Sequence, residues 1–194
     1  MSSSRFPGKV LAPFRGDPIV LHVVRAVGEA LGADKVVVAT SAEPSDDPLA
    51  AYLKGLGVPV FRGALDDVLG RFQACLDAYP CDWVLRVCAD SPLLDPEVIR
   101  LVLDAAGDDV DVVTTTSPRT FAKGQNVELV REAVLLGLDG PELTAEDREH
   151  VTRFLYLHPE RYRIRNVESG DPAPVGRSLV VDTVEDLKRL EAGV

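Results

Sequence analysis

The sequence predicts an α/β fold, a mostly parallel twisted sheet with helices on both faces. Three observations carry this. From the first helical pattern to residue 104, apolar residues switch regularly between helical spacing and short continuous runs, the pattern of βα units joined by right-handed crossovers. Trp83 to Val87 is a β-rich run interrupted only by Arg86, short enough to be a buried strand. Asp90 and Asp182 each follow such a run, which puts carboxylates at strand tips, where open α/β sheets bind ligands.

Residues 2–9 are small, polar and basic, with Ser2, Ser3 and Ser4 ahead of Arg5, Pro7, Gly8 and Lys9. Such a loop reads as a frayed terminus, or as a polyphosphate cradle of backbone N–H groups, hydroxyls and two cations. Asp17 reads as an N-cap with Pro18 at the first helical position, and Ile19, Val20, Val23, Val24, Val27 and Leu31 recur at helical spacing up to Gly32. Lys35 to Thr40 is a strand. Asp46 and Asp47 suit the start of a helix through Leu49, Leu53 and Leu56, stopped by Gly57. Val58 to Phe61 is a short strand, and Asp66–Asp67 open a helix whose inner face is Val68, Leu69, Phe72, Cys75 and Leu76. After the Asp90 strand, Pro96 starts a helix carrying Val98, Ile99, Val102 and Leu103.

Asp111 to Thr116 is one more strand, and then the alternation breaks. Residues 117–126 form a polar loop with two cations, Asn126 to Val130 a strand, Glu132 to Leu138 a short helix, and 146–159 a further helix. Arg161 to Val167 alternates charged and apolar residues, as a half-exposed strand does. Ser178 to Val181 reads as a strand ending in Asp182, and Thr183–Val184–Glu185–Asp186 as the capping box of a last helix. Taken alone, Asp90 reads first as the cap of the Ser91–Pro92 turn and second as a carboxylate beside a metal-bound phosphate. His150, near a helix start, reads equally as a structural hydrogen-bonder and as an acceptor ligand or base; His22 and His158 read as surface or packing residues.

At 194 residues, 46% hydrophobic and 27% charged, the expectation is a single domain over 1–194 with a real core. A net charge of −10 argues against broad binding to nucleic acid backbones, so a polyanionic partner needs a local basic pocket. Cys75, Cys81 and Cys88 have neither C-x-x-C pairing nor metal-type His spacing and read as buried thiols in a reducing compartment. No apolar run reaches the length of about eighteen residues that spans a bilayer, and no signal-type segment is present. The cytoplasm is the expected location, with no membrane partner.

Ser4–Arg5–Phe6–Pro7–Gly8–Lys9, Val38–Ala39–Thr40–Ser41 with Asp46–Asp47, Phe61–Arg62–Gly63 with Asp67–Val68–Leu69, Arg86 to Leu93, Arg148–Glu149–His150–Val151–Thr152 and Val181 to Leu187 fall in the order seen in the cytidylyltransferases. The chain resembles the CMP-sugar synthetase (acylneuraminate cytidylyltransferase-like) group, most closely its spore coat polysaccharide biosynthesis protein F branch. That resemblance implies a nucleotidyltransferase fold and the reaction of CTP with a sugar or sugar acid to give CMP-sugar and pyrophosphate, with Mg²⁺, for polysaccharide or glycan precursors. By position it implies that Arg5 and Lys9 hold the triphosphate, Asp90 and Asp182 the metal, and that Ala39, Thr40 and Arg86 lie near the base. Arg119, Lys123, Asn126, Glu128 and His150 would face the acceptor, although a solvated loop is an equally good account of Arg119 and Lys123. Two other readings stay open, a glycosyltransferase using a sugar nucleotide and a non-catalytic nucleotide-binding homologue. The 117–165 segment is the place for acceptor binding, and an arm between two copies of the chain is a further reading of it.

The sequence departs from the family pattern in three places. The family's central apolar strand runs into the R-x-P-G-K loop, and here the numbering opens at Met1 within that loop. The expectation is that this first central strand is missing from these residues. It either lies ahead of Met1, or its gap is closed in another way, such as by a neighbouring molecule. Without it, two strand edges are unpaired, residues 2–9 are mobile and activity is weak or absent. Asn126 stands where the family often has Asp, and Ala122 where it often has Pro, which points to a different acceptor.

Overall fold

A computed structural model describes residues 3, 5–170 and 175–193. The expected mobility of 2–9 and the Ser2 and Ser4 hydroxyls fall wholly or partly outside these residues. A small antiparallel hairpin, β1 (Pro13–Phe14) and β2 (Asp17–Pro18), leads into α1 (Ile19–Leu31). Then come β3 (Val38–Ser41), α2 (Asp47–Gly55), β4 (Val60–Gly63), α3 (Val68–Ala78), β5 (Trp83–Arg86), α4 (Pro96–Asp104) and β6 (Val112–Thr114). The second half contributes β7 (Glu128–Arg131), α5 (Glu132–Leu136), α6 (Ala145–Glu149), α7 (Arg153–Leu157), β8 (Ile164–Asn166) and α8 (Val184–Glu191).

The layered α/β architecture is the one the alternation predicts, but the sheet is mixed. β3 pairs with β4 and β6 with β8 in parallel, whereas β7 runs antiparallel to both β5 and β6 in the order β5-β7-β6-β8. The antiparallel member arises because β7 returns from the 117–126 loop with no helix between β6 and itself. Alternate residues then sort onto two faces. Leu85, Val113 and Leu129 pack with Val23 and Val27 of α1 and Ile99 and Val102 of α4. Val84, Val112, Val130 and Ile164 pack with Leu69 of α3, Leu135 of α5 and Leu155 of α7. Both faces of β5 are therefore covered and one edge is bonded to β7, yet all four of its residues are only half-buried. Their remaining exposure enters through the other edge. Among the described residues, β3 and β5 share no ladder, so each carries one unpaired edge.

Several elements differ locally from the sequence reading. Asp17 is not the cap of α1: its backbone pairs with Phe14 and its carboxylate takes Arg25 Nη1 at 2.5 Å, leaving Pro18 as the last residue before the helix. The helix expected over 146–159 is broken into α6 and α7: His150 leaves helical geometry, and Thr152, the residue before α7, turns its hydroxyl inward to Glu128. Ser178 to Val181 is extended but not a ladder strand: Leu179 N donates to Lys123 O, and Val181 N to Asp90 O. Of the cysteines expected to be buried only Cys75 is; Cys81 lies ahead of β5 and Cys88 beyond its end, both exposed.

One surface contact has a measurable share in stability. Arg163 reaches Asp111 with its backbone N at 2.9 Å, Nε at 3.0 Å and Nη2 at 2.6 Å, and these bonds hold the Asp111 carboxyl below its ordinary value. The folded value lies below the unfolded one, so the stabilisation is full above the unfolded carboxylate range and is lost as pH falls through the folded value. Because the Arg163 side chain is 56% exposed, the pair is screened. Asp111→Asn is expected to cost about 1 kcal/mol near neutral pH, a gap that urea titration should find shrinking by about pH 3.

Candidate active site

Lys9 opens a short 3₁₀ turn, Lys9–Leu11, entered through Gly8 at φ +73°, a left-handed conformation that suits glycine. Val10 and Leu11 pack against Val20, Leu49 and Leu53, and Phe6 against Phe14 and Val181, so apolar contacts on two sides fix the backbone that carries Lys9. Asp90 follows β5. Asp182 precedes α8, where the capping box positions it: Thr183 Oγ1 and the Asp182 and Thr183 N–H groups all donate to Asp186 Oδ2. The Val181 N to Asp90 O bond of 2.9 Å stitches the two carboxylate-bearing segments directly together.

The outcome is one charge cluster. Lys9 Nζ donates to Asp90 Oδ2 at 2.8 Å and to Asp182 Oδ1 at 3.0 Å. Arg5 Nη2 lies 3.2 Å and Lys123 Nζ 3.7 Å from the other Asp182 oxygen, Oδ2. Burial opposes the charge on Lys9, but Asp90 and then Asp182 outweigh it and hold the ammonium above its ordinary pKa. The Lys9 bond, with Arg5 and Lys123 behind it, holds the Asp182 carboxyl below its own. Lys123 arrives there because its loop is strapped to the 177–179 segment: Lys123 N donates to Arg177 O, and Leu179 N to Lys123 O. Gly124, at φ +107°, lets the two chains approach, since a Cβ there would sit 3.0 Å from the Leu179 backbone.

A second group crosses the sheet beside the first. In register, Arg86 faces Glu128, Glu128 faces Thr114 and Thr114 faces Asn166, one polar row immediately beyond the apolar row Val84, Val130, Val112 and Ile164. Arg86 Nη1 bonds Glu128 Oε2, while Thr152 Oγ1 at 2.8 Å and Tyr156 OH at 2.6 Å donate to Oε1. Tyr156 also reaches Thr114 Oγ1 at 2.9 Å. The expected base-side residues Ala39 and Thr40 lie within β3; Thr40 is buried with its hydroxyl on Asp46 Oδ2 at 2.5 Å, which also accepts from Ser41 N and Oγ. Arg119 Nη1 holds Asn126 Oδ1 at 2.5 Å on the exposed loop. His150 stands exposed at the end of α6, outside both clusters. Tyr156 and Thr114 were not singled out by the sequence, and Thr152 stood there only inside the Arg148–Thr152 motif: Thr114 shares the alternation of Val112, but no local pattern announces that Thr152 and, within α7, Tyr156 bring two hydroxyls to Glu128.

The carboxylates fit a hard cation. The Lys9 ammonium is the stand-in: Asp90 and Asp182 offer oxygens from two segments to one positive centre. Among the described residues no group of three or more His, Cys, Asp or Glu gathers as a metal site, so at this cluster the protein's acidic ligands are the two carboxylates. Two carboxylates, with phosphates and waters completing the shell, are the set Mg²⁺ accepts.

The family model for cytidylyltransferases matches residues 1–190. The chain belongs to the cytidylyltransferase family. This cytidylyltransferase is 31% identical over 199 residues to the spore coat polysaccharide biosynthesis protein SpsF of Bacillus subtilis, covering 99% of this chain and 82% of that protein. It is 37% identical over 108 residues to the 3-deoxy-manno-octulosonate cytidylyltransferase of Aeromonas salmonicida, 53% of this chain and 41% of that one. The solved structure of a cytidylyltransferase from Leptospira borgpetersenii superposes with a TM-score of 0.93 at 28% identity, over 99% of this chain and 82% of that one. The cytidylyltransferase is thus a nucleotidyltransferase in fold and in family. Among its described residues no helix is long and apolar enough to cross a membrane.

Proposed function

We propose that the protein transfers the cytidylyl group of CTP to a hydroxyl of a sugar or sugar acid, releasing pyrophosphate, with Mg²⁺ held by Asp90 and Asp182. The observation that carries this reading is the single ammonium shared by those two carboxylates, flanked by Arg5. In this reading Arg5 and Lys9 grip the triphosphate, Ala39, Thr40 and Arg86 lie at the base, and Arg119, Lys123 and Asn126 face the acceptor, while Glu128 is buried against Arg86, Thr152 and Tyr156 and His150 stands outside both clusters. The relatives named for 3-deoxy-manno-octulosonate and for spore coat polysaccharide support a sugar-acid acceptor and a role in surface-polysaccharide precursors.

The acceptor oxygen bonds to the α-phosphorus as the bond to the β-phosphate oxygen breaks, pyrophosphate leaves with that electron pair, and the hydroxyl proton passes to solvent water. Charge grows on the transferring and leaving oxygens, so the protein acts mainly by positioning and by electrostatic neutralisation. Arg5, Lys9 and Lys123 supply the protein's positive charge at that point. Mg²⁺, when bound, adds charge neutralisation of the phosphate oxygens. The buried Arg86–Glu128–Tyr156 network keeps Arg86 in one orientation. The 117–165 segment is our candidate for contact between two copies, and free thiols are consistent with action in a reducing compartment such as the cytoplasm.

The test is pyrophosphate release from each of the four nucleoside triphosphates, offered with a panel of sugar acids and neutral sugars. The expected result is release with CTP that depends on Mg²⁺ and on an acceptor. Nucleoside diphosphate release from a sugar nucleotide would instead identify a glycosyltransferase, and no turnover despite CTP binding a non-catalytic homologue.

A further inference from the structure

Lys9 has two claims on its charge. The phosphate-binding reading wants its ammonium on the triphosphate, whereas the structure has it between the carboxylates assigned to the metal. It cannot serve both places at once. We propose that Lys9 is an internal counter-ion that excludes the divalent cation from Asp90 and Asp182 until a polyphosphate draws it away, so that metal and nucleotide enter together. This rests on the metal reading of the two carboxylates and adds an order of events to it.

Four observations carry it. First, Lys9 alone bridges: it takes Oδ2 of Asp90 and Oδ1 of Asp182, whereas Arg5 and Lys123 both sit on the outer oxygen of Asp182. Second, the Lys9 side chain is 14% exposed, against 64% for Arg5 and 54% for Lys123, so its pairing is the least screened of the three. Third, the backbone on either side of Lys9 is anchored by Phe6, Val10 and Leu11, while the ammonium ends a flexible four-carbon stem. It can leave the carboxylates by side-chain rotation with no shift of the fold. Fourth, the cluster holds two negative and three positive side chains. It therefore attracts an anion before a cation, in a chain whose net charge is −10.

A polyphosphate supplies several charged acceptors to an ammonium with three donors. Once Lys9 turns to it, Asp90 Oδ2 and Asp182 Oδ1 lose the cation they share while Arg5 and Lys123 stay on Asp182 Oδ2, and a divalent cation relieves the repulsion between the two vacated oxygens. By reciprocity, the polyphosphate raises metal affinity as much as the metal raises polyphosphate affinity.

The experiment measures Mn²⁺ binding to the full chain by the electron paramagnetic signal of free Mn²⁺, with Mn²⁺ alone and with CTP, corrected for Mn²⁺ complexed by CTP in solution. The wild-type protein should bind Mn²⁺ alone weakly and far better with CTP. Lys9→Met should bind Mn²⁺ alone roughly tenfold more tightly or better, since a unit charge is removed within contact distance. The gain from CTP should shrink in the same variant. Wild-type protein that binds Mn²⁺ equally with and without CTP, or a folded Lys9→Met with unchanged affinity for Mn²⁺ alone, overturns the proposal. If Lys9→Met does not fold, inorganic pyrophosphate replaces CTP with the wild-type protein: enhancement of Mn²⁺ binding supports the proposal and its absence overturns it. Should Asp90→Asn bind Mn²⁺ and CTP together as well as wild type does, the metal reading itself fails, a result separate from failure of the counter-ion.

Discussion

Replacing Asp90 with asparagine is expected to lower turnover with CTP and Mg²⁺ by about two orders of magnitude or more, the loss that accompanies removal of a preorganised electrostatic group. Asparagine keeps the size of the side chain and the Val181 N to Asp90 O backbone bond, so the segment stays in place. It removes the formal charge that Lys9 contacts at 2.8 Å. The neutral amide oxygen is a weaker donor to a hard cation, and the remaining carboxylate, Asp182, must then satisfy Lys9, Arg5 and the metal together. Pyrophosphate release by the folded variant checks this, and metal-dependent turnover near the wild-type level would remove Asp90 from the site.

Glu128→Ala is expected to destabilise the fold by about 3 kcal/mol, the lower end of the range for breaking a buried ion pair. Glu128 is 6% exposed at its side chain and accepts from Arg86, Thr152 and Tyr156. Removing it leaves Arg86 charged and largely buried, and two hydroxyls short of their acceptor. The lower figure is appropriate because the Arg86 side chain keeps 21% exposure and can draw in water. Urea denaturation of the variant measures the loss. Replacing Arg86 and Glu128 together with methionine should cost clearly less than Glu128→Ala alone, since no charge is then stranded. A Glu128→Ala loss below about 1 kcal/mol would mean the pair is not buried in solution as it is here.

The elements that were legible in the sequence are those whose information is local. The Val184 helix follows from its Thr183–Asp186 capping box, the Pro96 helix from Pro96 and its apolar spacing, and the Val68 helix from Asp67, which accepts from Gly70 N. β5 could be placed from its apolar run alone. What was not legible depends on partners distant in sequence. The antiparallel entry of β7 is decided by pairing across 42 residues between Arg86 and Glu128, and no periodicity in either strand encodes direction. Asp17 has the residue type of a cap, but the hairpin with Phe14 takes its backbone first. The extended 178–181 segment has strand-like composition, yet its N–H groups are divided between the acceptor loop and Asp90, so no ladder forms.

The site shows the same division. That Asp90 and Asp182 each follow an extended run can be read locally, whereas their convergence on Lys9 joins segments far apart in the chain. The link from Lys123 to Asp182 could not be read, because it depends on Gly124 packing against Leu179 and on the strap between the two loops. Nor could Tyr156, whose role emerges only when a break after α6 re-aims the next helix at the sheet.

Catalysis as proposed requires the carboxylates of Asp90 and Asp182 to share one divalent cation beside a triphosphate. A crystal structure of the protein grown with CTP and Mn²⁺, with the metal located by its anomalous signal, would show whether they do. One Mn²⁺ bonded to oxygens of both carboxylates and of the triphosphate, with Lys9 moved onto the phosphates, is the expected result. Triphosphate bound with Lys9 still bridging the two carboxylates, or Mn²⁺ bound away from both, would contradict it.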